Sequence, residues 1–170
     1  ALEYYEKSLK IKEEIGDKKG VSATYNHIGL NNFYQGNYEK ALEYYEKCLK
    51  IDEELGDKSG IGKSYVNIGI LYSKNGNNEK AIEYYEKTLK IFEELGNKSG
   101  MGATLGNIGV IYADQSNYEK AIEYYEKSLK IFEEIGDKKK MGASYNNIGN
   151  IYKNQGNYEK ALEYYEKSLK

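Results

Sequence analysis

The chain has 170 residues, and its 25 Lys and Arg residues against 27 Asp and Glu residues give a formal net charge of −2 at pH 7. This near-balance argues against a protein whose main task is to bind nucleic acid, because such proteins usually carry a basic surplus. No stretch is long and apolar enough to cross a membrane, and a single cysteine excludes a disulfide within the chain.

The predicted elements are helices throughout. The chain has no proline, and Glu, Lys, Leu, Ile and Ala dominate the segments between its 18 glycines, a composition that favours long helices. The first predicted helix covers residues 1–15, and two helical patterns then alternate to the end of the chain. Helix A is predicted near 18–35, 58–75, 98–115 and 138–155, and helix B near 38–55, 78–95, 118–135 and 158–170.

The alternation follows a repeat of 40 residues. The segment NYEKALEYYEK begins at Asn37, and close variants begin at Asn77, Asn117 and Asn157. A period of this length is typical of an array in which each repeat packs only on its neighbours. We predict a single array over 1–170, which consists of a partial helix B at 1–15, repeats at 18–55, 58–95 and 98–135, and a last repeat at 138–170 with a truncated helix B.

The turns carry residues that are typical of helix ends. Gly36 and its counterparts Gly76 and Gly156 stand where helix A must end in a left-handed residue, which glycine tolerates best. Asn37 and its counterparts follow as N-cap residues of helix B, and Asp17 and its counterparts as N-cap residues of helix A, because their side chains can accept a hydrogen bond from a first-turn amide. Ser116 replaces the loop glycine in one repeat, and we expect that turn to be slightly less favourable.

The apolar positions recur at spacings of three and four, as in amphipathic helices. Gly69 and its counterparts interrupt helix A in its middle, where glycine costs about 1 kcal/mol relative to alanine. We expect a close approach of helix B to compensate, with Ala81 as the other small surface. Asn31 and Asn32 replace a Leu-Tyr pair, and the core should be weaker or wetter there because a buried amide needs hydrogen-bond partners. The predicted core residues are Tyr65, Ile68, Leu71 and Tyr72 on helix A and Ala81, Tyr85, Leu89 and Phe92 on helix B.

Several spaced residues recur together in each period, and in one period they are Tyr65, Ile68-Gly69, Tyr72, Gly76, Ala81, Tyr85 and Thr88. In this pattern the chain resembles the tetratricopeptide repeat over essentially its whole length. Its repeat is longer than usual and lacks the Pro after helix B, which makes it similar to Pins-type spindle-orientation adaptors, kinesin light chains and bacterial signalling proteins. The resemblance implies an all-α, right-handed solenoid of antiparallel helix pairs, with the A helices on the concave face.

The resemblance also implies where a ligand binds. In peptide-binding members of the family, an Asn just before the Ile-Gly pair hydrogen-bonds the ligand backbone, and an amide suits this role because it offers both a donor and an acceptor. Asn67, Asn107 and Asn147 occupy that position, and His27 replaces it in the first repeat. The alternative is that these amides bond the neighbouring helix or water. The candidate peptide-binding residues are Asn26, His27, Lys63, Asn67, Lys74, Asn107, Asn146, Asn147, Asn150 and Lys153.

No pattern of catalytic or metal-binding residues is visible. One cysteine and one histidine fall short of the roughly four ligands that a zinc site needs, and no phosphate-binding loop occurs. The many carboxylates are predicted to lie solvated on the outer face, where they are not paired for acid–base chemistry. Cys48 holds the small-residue position of Thr88 and Ser128, which favours a packing role. We predict no enzyme activity, no metal and no cofactor.

The function predicted from the sequence is a cytoplasmic protein–protein interaction scaffold that binds an extended peptide in the groove, with no nucleic-acid or membrane partner. Residues 1–10 and 161–170 are identical, which indicates a piece of a longer or designed array whose apolar ends are open. A structural scaffold that associates with copies of itself end to end is therefore the first alternative. The second alternative is a regulatory segment of a larger signalling protein.

Overall fold

The computed structural model describes the backbone of residues 2–169 and the side chains of residues 4, 5 and 7–169. Over this range the chain is all-α, as predicted. Residues 1 and 170, at the outer ends of the two predicted terminal helices, lie outside the described residues. The helices are α1 (Leu2–Glu14), α2 (Lys18–Tyr34), α3 (Tyr38–Leu55), α4 (Lys58–Lys74), α5 (Asn78–Glu94), α6 (Lys98–Asp114), α7 (Tyr118–Ile135), α8 (Lys138–Asn154) and α9 (Tyr158–Ser168).

The alternation of two helical patterns is confirmed. Helices α2, α4, α6 and α8 are the A helices, and α3, α5, α7 and α9 are the B helices. Each A helix begins at the predicted residue and ends one residue earlier than predicted. In α2, for example, Gln35 is the C-cap residue, and its backbone N–H bonds to carbonyls of the last turn.

Each loop after an A helix contains a left-handed residue, as predicted. Gly36, Gly76 and Gly156 have φ angles of 78°, 77° and 77°. Ser116 adopts the same conformation with φ of 58°, and among the described residues it is the only non-glycine with a positive φ. The left-handed conformation crowds a Cβ against the following carbonyl oxygen, so the backbone at Ser116 is strained where glycine would not be.

The N-caps follow the prediction with one exception. Oδ1 of Asp17 accepts a hydrogen bond from the backbone N–H of Gly20 at 2.9 Å. Asn117 caps α7 in the same way through the N–H of Lys120, at 3.3 Å. Asn37 stands at the N-cap of α3 but makes no cap bond with its side chain. The start of α3 therefore lacks the side-chain acceptor that the other described N-caps supply.

The chain divides into two compact units, Ala1–Ile91 and Phe92–Lys170. Each unit has a core in which a B helix packs against the following A helix. The two cores use the same repeat positions, 80 residues apart. The buried core residues are Ala41, Tyr45, Ile68 and Leu71 in the first unit and Ala121, Tyr125, Ile148 and Ile151 in the second.

The glycine in the middle of the A helices lies against a tyrosine ring. A Cβ built on Gly69 would lie 2.6 Å from Cε1 of Tyr85, and one built on Gly109 would lie 2.6 Å from Cε1 of Tyr125. The close approach of helix B is thus confirmed, but its physical form differs from the expectation. The glycine makes room for a large buried ring, whereas the expected partner was the small side chain of Ala81.

In the four Tyr-Tyr pairs that begin at Tyr44, Tyr84, Tyr124 and Tyr164, the first tyrosine forms part of an aromatic layer beneath the charged surface, whereas Tyr4 is 78% exposed. In the first unit Tyr84 stacks on Tyr72, with ring centroids 5.6 Å apart and an interplanar angle of 19°. Nζ of Lys80 lies 5.1 Å from the centroid of Tyr72, and Nζ of Lys87 lies 4.8 Å from that of Tyr84. Lys87 also pairs with Glu83 at 2.6 Å. The charged face of helix B therefore covers half-buried rings.

Asn31 and Asn32 differ in whether their buried side-chain atoms find a hydrogen-bond partner. Asn32 is buried, and its Nδ2 donates to the carbonyl oxygen of Ile28 at 2.9 Å. Oδ1 of Asn31 is buried without a hydrogen-bond partner. A buried acceptor without a partner is destabilising, and this agrees with the weak point predicted there from the sequence.

Candidate functional site

The ten candidate residues all lie on the A helices and reach solvent, and we call them together the A-helix face. In the first unit they belong to α2 and α4, and in the second unit to α6 and α8. None of them is buried in the core. His27, Lys63, Lys74, Asn146, Asn150 and Lys153 are exposed, and Asn26, Asn67, Asn107 and Asn147 are half-buried.

In the first unit, two amides of the A-helix face bond to each other. Nδ2 of Asn67 on α4 donates to Oδ1 of Asn26 on α2 at 2.7 Å. The alternative considered from the sequence, in which these amides bond the neighbouring helix, therefore holds at Asn67. Its Oδ1 and its second N–H are not used in this bond, so a ligand could still pair with them beside Asn26.

In the second unit, the amides of Asn107 and Asn147 make no hydrogen bond within the described part of the chain. A repeat difference explains this at Asn147. Gly106 stands at the position that Asn26 has in the first unit, and glycine has no side chain to accept the bond. Each of these two amides retains two N–H donors and a carbonyl acceptor, so both are available to a ligand at half-buried positions.

The remaining candidates differ in their surroundings. Oδ1 of Asn150 accepts a hydrogen bond from the hydroxyl of Tyr165 at 2.7 Å, and Asn146 makes none within the described residues. The ring of His27 stacks on Tyr5, with centroids 6.1 Å apart and an interplanar angle of 7°. Within the described residues, no ion pair involves any of the three candidate lysines, Lys63, Lys74 and Lys153.

A pocket of about 160 Å³ lies beside Asn26 in the first unit, among α2, α3 and α4. Its most buried charged side chain is Asp52 of α3, which is 4% exposed. Oγ of Ser22 donates to Oδ1 of Asp52 at 2.6 Å, and Oγ of Ser64 lies 3.5 Å from Oδ2. The pocket therefore places a buried carboxylate next to the A-helix face.

Sequence reasoning missed Asp52. It assigned the carboxylates to the solvated outer face, and for this residue the assignment is wrong. A signal was present, because Asp52 stands at the position of Phe92 and Phe132, which are buried core residues. Two later repeats bury an aromatic ring at this position, whereas α1 has Lys12 there.

Cys48 also lines this pocket and is buried, in agreement with the packing role predicted for it. Its Sγ lies 3.0 Å from Oγ of Ser22 and 3.4 Å from Oγ of Ser64. Burial raises the pKa of the Cys48 thiol, and this effect outweighs the hydrogen bonds with Ser22 and Ser64, which lower the pKa. The thiolate, which is the reactive form of cysteine, is therefore disfavoured here.

Within the described residues, no group of three or more His, Cys, Asp and Glu side chains could hold a metal ion. None of the described helices has the length and apolar character that crossing a membrane requires. The A-helix face carries amides, ammonium groups and the imidazole of His27, and the buried carboxylate of Asp52 lies beside it.

A model of the tetratricopeptide repeat family matches the chain in four overlapping segments. They are residues 1–54, 20–94, 60–134 and 100–170, so the match extends over the whole sequence. No curated protein sequence matches the chain.

Several solved structures share the fold. Aspartyl phosphate phosphatase F from Bacillus subtilis superposes with a TM-score of 0.91 at 22% identity, over 99% of this chain and 44% of that one. BtubC from P. vanneervenii gives 0.83 at 23% identity, over 97% and 69%. A signal transduction ATPase with numerous domains from Pyrococcus horikoshii, which carries a tetratricopeptide repeat sensor, gives 0.82 at 29% identity, over 96% and 26%. The chain is thus similar to all-α solenoids and spans less than half of two of these proteins.

Proposed function

Because the chain belongs to the tetratricopeptide repeat family, whose members are typically protein-interaction scaffolds, we propose that it binds an extended peptide along the A-helix face. One observation carries the proposal. Asn107 and Asn147 occupy the same position in consecutive repeats, and each presents an amide that the described part of the chain does not use.

The chemistry of an amide suits an extended peptide. Each residue of such a peptide presents one backbone N–H and one C=O, and a free Asn side chain can pair with both. A net hydrogen bond contributes about 0.5–1.5 kcal/mol. Two amides that each make two bonds would therefore contribute several kcal/mol without selecting side chains.

The first test is a peptide-library selection followed by affinity measurement on the enriched peptides. The double substitution Asn107→Ala and Asn147→Ala should weaken binding by about 2 kcal/mol or more, which is roughly thirtyfold. Asn75→Ala is a matched control, because Asn75 is an exposed C-cap residue outside the A-helix face. It should leave the affinity unchanged.

Asn67 supplies an internal contrast. Its amide already donates to Asn26, so we expect Asn67→Ala to weaken binding less than the change at Asn147. The proposal fails if no peptide is enriched by the wild-type chain. Equal affinities of the double variant and the wild type would show that these amides do not contact the ligand.

A second candidate function is self-association, and apolar exposure on α9 and at its C-cap residue Leu169 favours it. Leu162 is 62% exposed and Leu169 is 87% exposed. The counterpart Leu42 is half-buried against the core of the first unit. Light scattering over a range of concentrations tests this candidate, since the mass should grow with concentration in the wild type and stay constant after Leu162→Lys.

A further inference from the structure

The pocket beside Asn26 replaces a packed aromatic ring. In the second unit, Phe132 lies against Gly102, where an added Cβ would be 2.7 Å from the ring. In the first unit, the same two positions hold Asp52 and Ser22, which bond to each other at 2.6 Å. Both members of the pair have therefore changed together, from a glycine and a large ring to two small polar side chains. The space that the ring would fill remains open as the pocket.

The carboxylate of Asp52 has more acceptor capacity than its neighbours use. An ionised carboxylate has about four lone-pair sites, and one short bond, from Ser22, reaches Oδ1. Around Oδ2, Oγ of Ser64 lies at 3.5 Å, the outer limit for a hydrogen bond between oxygens, and Sγ of Cys48 lies at 3.5 Å, where a thiol is a weak donor. No ion pair within the described residues reaches Asp52. Asp52 is only 4% exposed, and a buried charge with no opposite charge beside it is strongly destabilising.

The lysines around the pocket do not supply that partner. Nζ of Lys19 lies 3.4 Å from Oδ2 of Asp57, at the edge of the pocket. Lys63 is exposed and makes no ion pair. The volume of about 160 Å³ is close to that of a cavity of roughly 150 Å³ that admits a benzene molecule. A planar guanidinium or a compact ammonium group therefore fits the available space.

We propose that this pocket receives the cationic end of an Arg or Lys side chain of the bound peptide. The inference rests on the proposed peptide-binding function, and it adds a side-chain preference to backbone pairing. The pocket is lined by Asn26 and Lys63, which belong to the A-helix face. A peptide that pairs with the amides of the first unit would therefore carry its side chain past Asn26 to Asp52.

The direct test uses Nα-acetyl-arginine amide as the probe and follows the backbone amide NMR signals of Ser22, Gly60 and Ser64. Nα-acetyl-citrulline amide is the matched control, because it has nearly the same shape without the charge. We expect the arginine compound to shift the three signals in the wild type and the citrulline compound to leave them in place. Equal shifts with both compounds, or none with either, would overturn the inference.

Three variants test the role of the charge. Asp52→Asn should weaken binding of the arginine compound about tenfold or more, since the bond to a charged acceptor is lost. Lys63→Met should strengthen it severalfold, because a repelling charge is removed from the rim. Weaker binding of the arginine compound after Lys63→Met would show that the charge of Lys63 does not repel the probe, and it would contradict the proposal. Glu54→Gln removes an exposed carboxylate from the same helix and should change nothing.

A closed pocket provides the structural control. The double substitution Ser22→Gly and Asp52→Phe reproduces the pair that Gly102 and Phe132 form in the second unit. We expect this variant to be folded and to lose binding of the arginine compound. Retained binding in a folded closed variant would place the cation elsewhere and refute the proposal.

The peptide selection separates this inference from the proposed function. Enrichment of extended peptides without a preference for Arg or Lys would support the proposed function and contradict the proposal that the pocket binds a cationic side chain. Shifts of the pocket signals by the arginine compound, together with no enrichment of any peptide, would support the cation pocket and overturn peptide binding. Enriched peptides with a basic residue that lose affinity on Asp52→Asn would support both.

Discussion

The mid-helix glycines allow a sharp prediction, because two of them lie three residues apart in α6 and differ in their surroundings. A Cβ on Gly109 would lie 2.6 Å from Cε1 and 2.7 Å from Cδ1 of Tyr125. A Cβ on Gly106 would meet only Oγ of Ser128, at 3.6 Å, which is an ordinary contact. Alanine substitution at the two positions should therefore change stability in opposite directions.

The expected size follows from two opposing effects. Alanine is favoured over glycine within a helix by about 1 kcal/mol. Overpacking of a tight core typically costs about 1–3 kcal/mol, and Tyr125 is only 4% exposed, so its ring has little room to move. We expect Gly109→Ala to lower the free energy of unfolding by up to about 2 kcal/mol. Gly106→Ala, which meets no ring, should raise it by about 0.5–1 kcal/mol.

Urea and thermal unfolding, followed by circular dichroism, measure both variants. For a chain of this length, 1 kcal/mol corresponds to a midpoint shift of about 2–4 °C. A third variant tests the assigned cause. In a Tyr125→Leu background the ring is gone, so Gly109→Ala should no longer be destabilising, and the pair should show a coupling energy.

Two results would refute this reasoning. Gly109→Ala as stabilising as Gly106→Ala would mean that the tyrosine ring moves at no cost. Gly106→Ala as destabilising as Gly109→Ala would mean that the glycines are required by the backbone, independently of Tyr125.

Two further predictions concern the loop serine and the buried tyrosines. Ser116→Gly should stabilise the chain by about 0.5–1 kcal/mol, because it removes a left-handed non-glycine residue, and the reverse change Gly76→Ser should destabilise it by a similar amount, both measured by urea unfolding. Burial raises the pKa of Tyr45 and Tyr125 from 10.0 to about 12. The native state holds these protons longer than the unfolded chain, so stability should be complete below about pH 10 and fall as the pH rises towards about 12. Constant stability over this interval, with tyrosinate absorbance that rises before unfolding, would contradict the prediction.

The repeat made most of the fold predictable from the sequence. A step of 40 residues, left-handed loop residues and N-cap residues fixed the helix boundaries to within a residue in most cases. The role of Gly69 was predicted only in part. Spacing along one helix indicates that a close approach exists there, but it does not say whether Ala81 or Tyr85 of the facing helix makes it.

The candidate site was harder to predict, because it depends on contacts between helices. The sequence places Asn67 and Asn147 at equivalent positions and gives no reason to separate them. The difference arises from Asn26, which accepts a bond from Asn67, while Gly106 stands in the place of Asn26 beside Asn147. Asp52 was missed because an aspartate is usually exposed. Its equivalence to the core residues Phe92 and Phe132 indicates a buried position instead.

The exchange of Gly102 and Phe132 for Ser22 and Asp52 has a consequence for how such a pocket can arise in a duplicated array. With the ring in place, any Cβ at the glycine position lies 2.7 Å from it, so a serine that appears first is disfavoured. Once the aromatic ring is lost, a serine at the glycine position no longer clashes with it. Its hydroxyl can then donate a hydrogen bond to the aspartate at the position of the ring. The favoured order is therefore replacement of the aromatic ring first and of the glycine second. A return to the packed pair of glycine and phenylalanine requires the serine to be replaced before the aspartate.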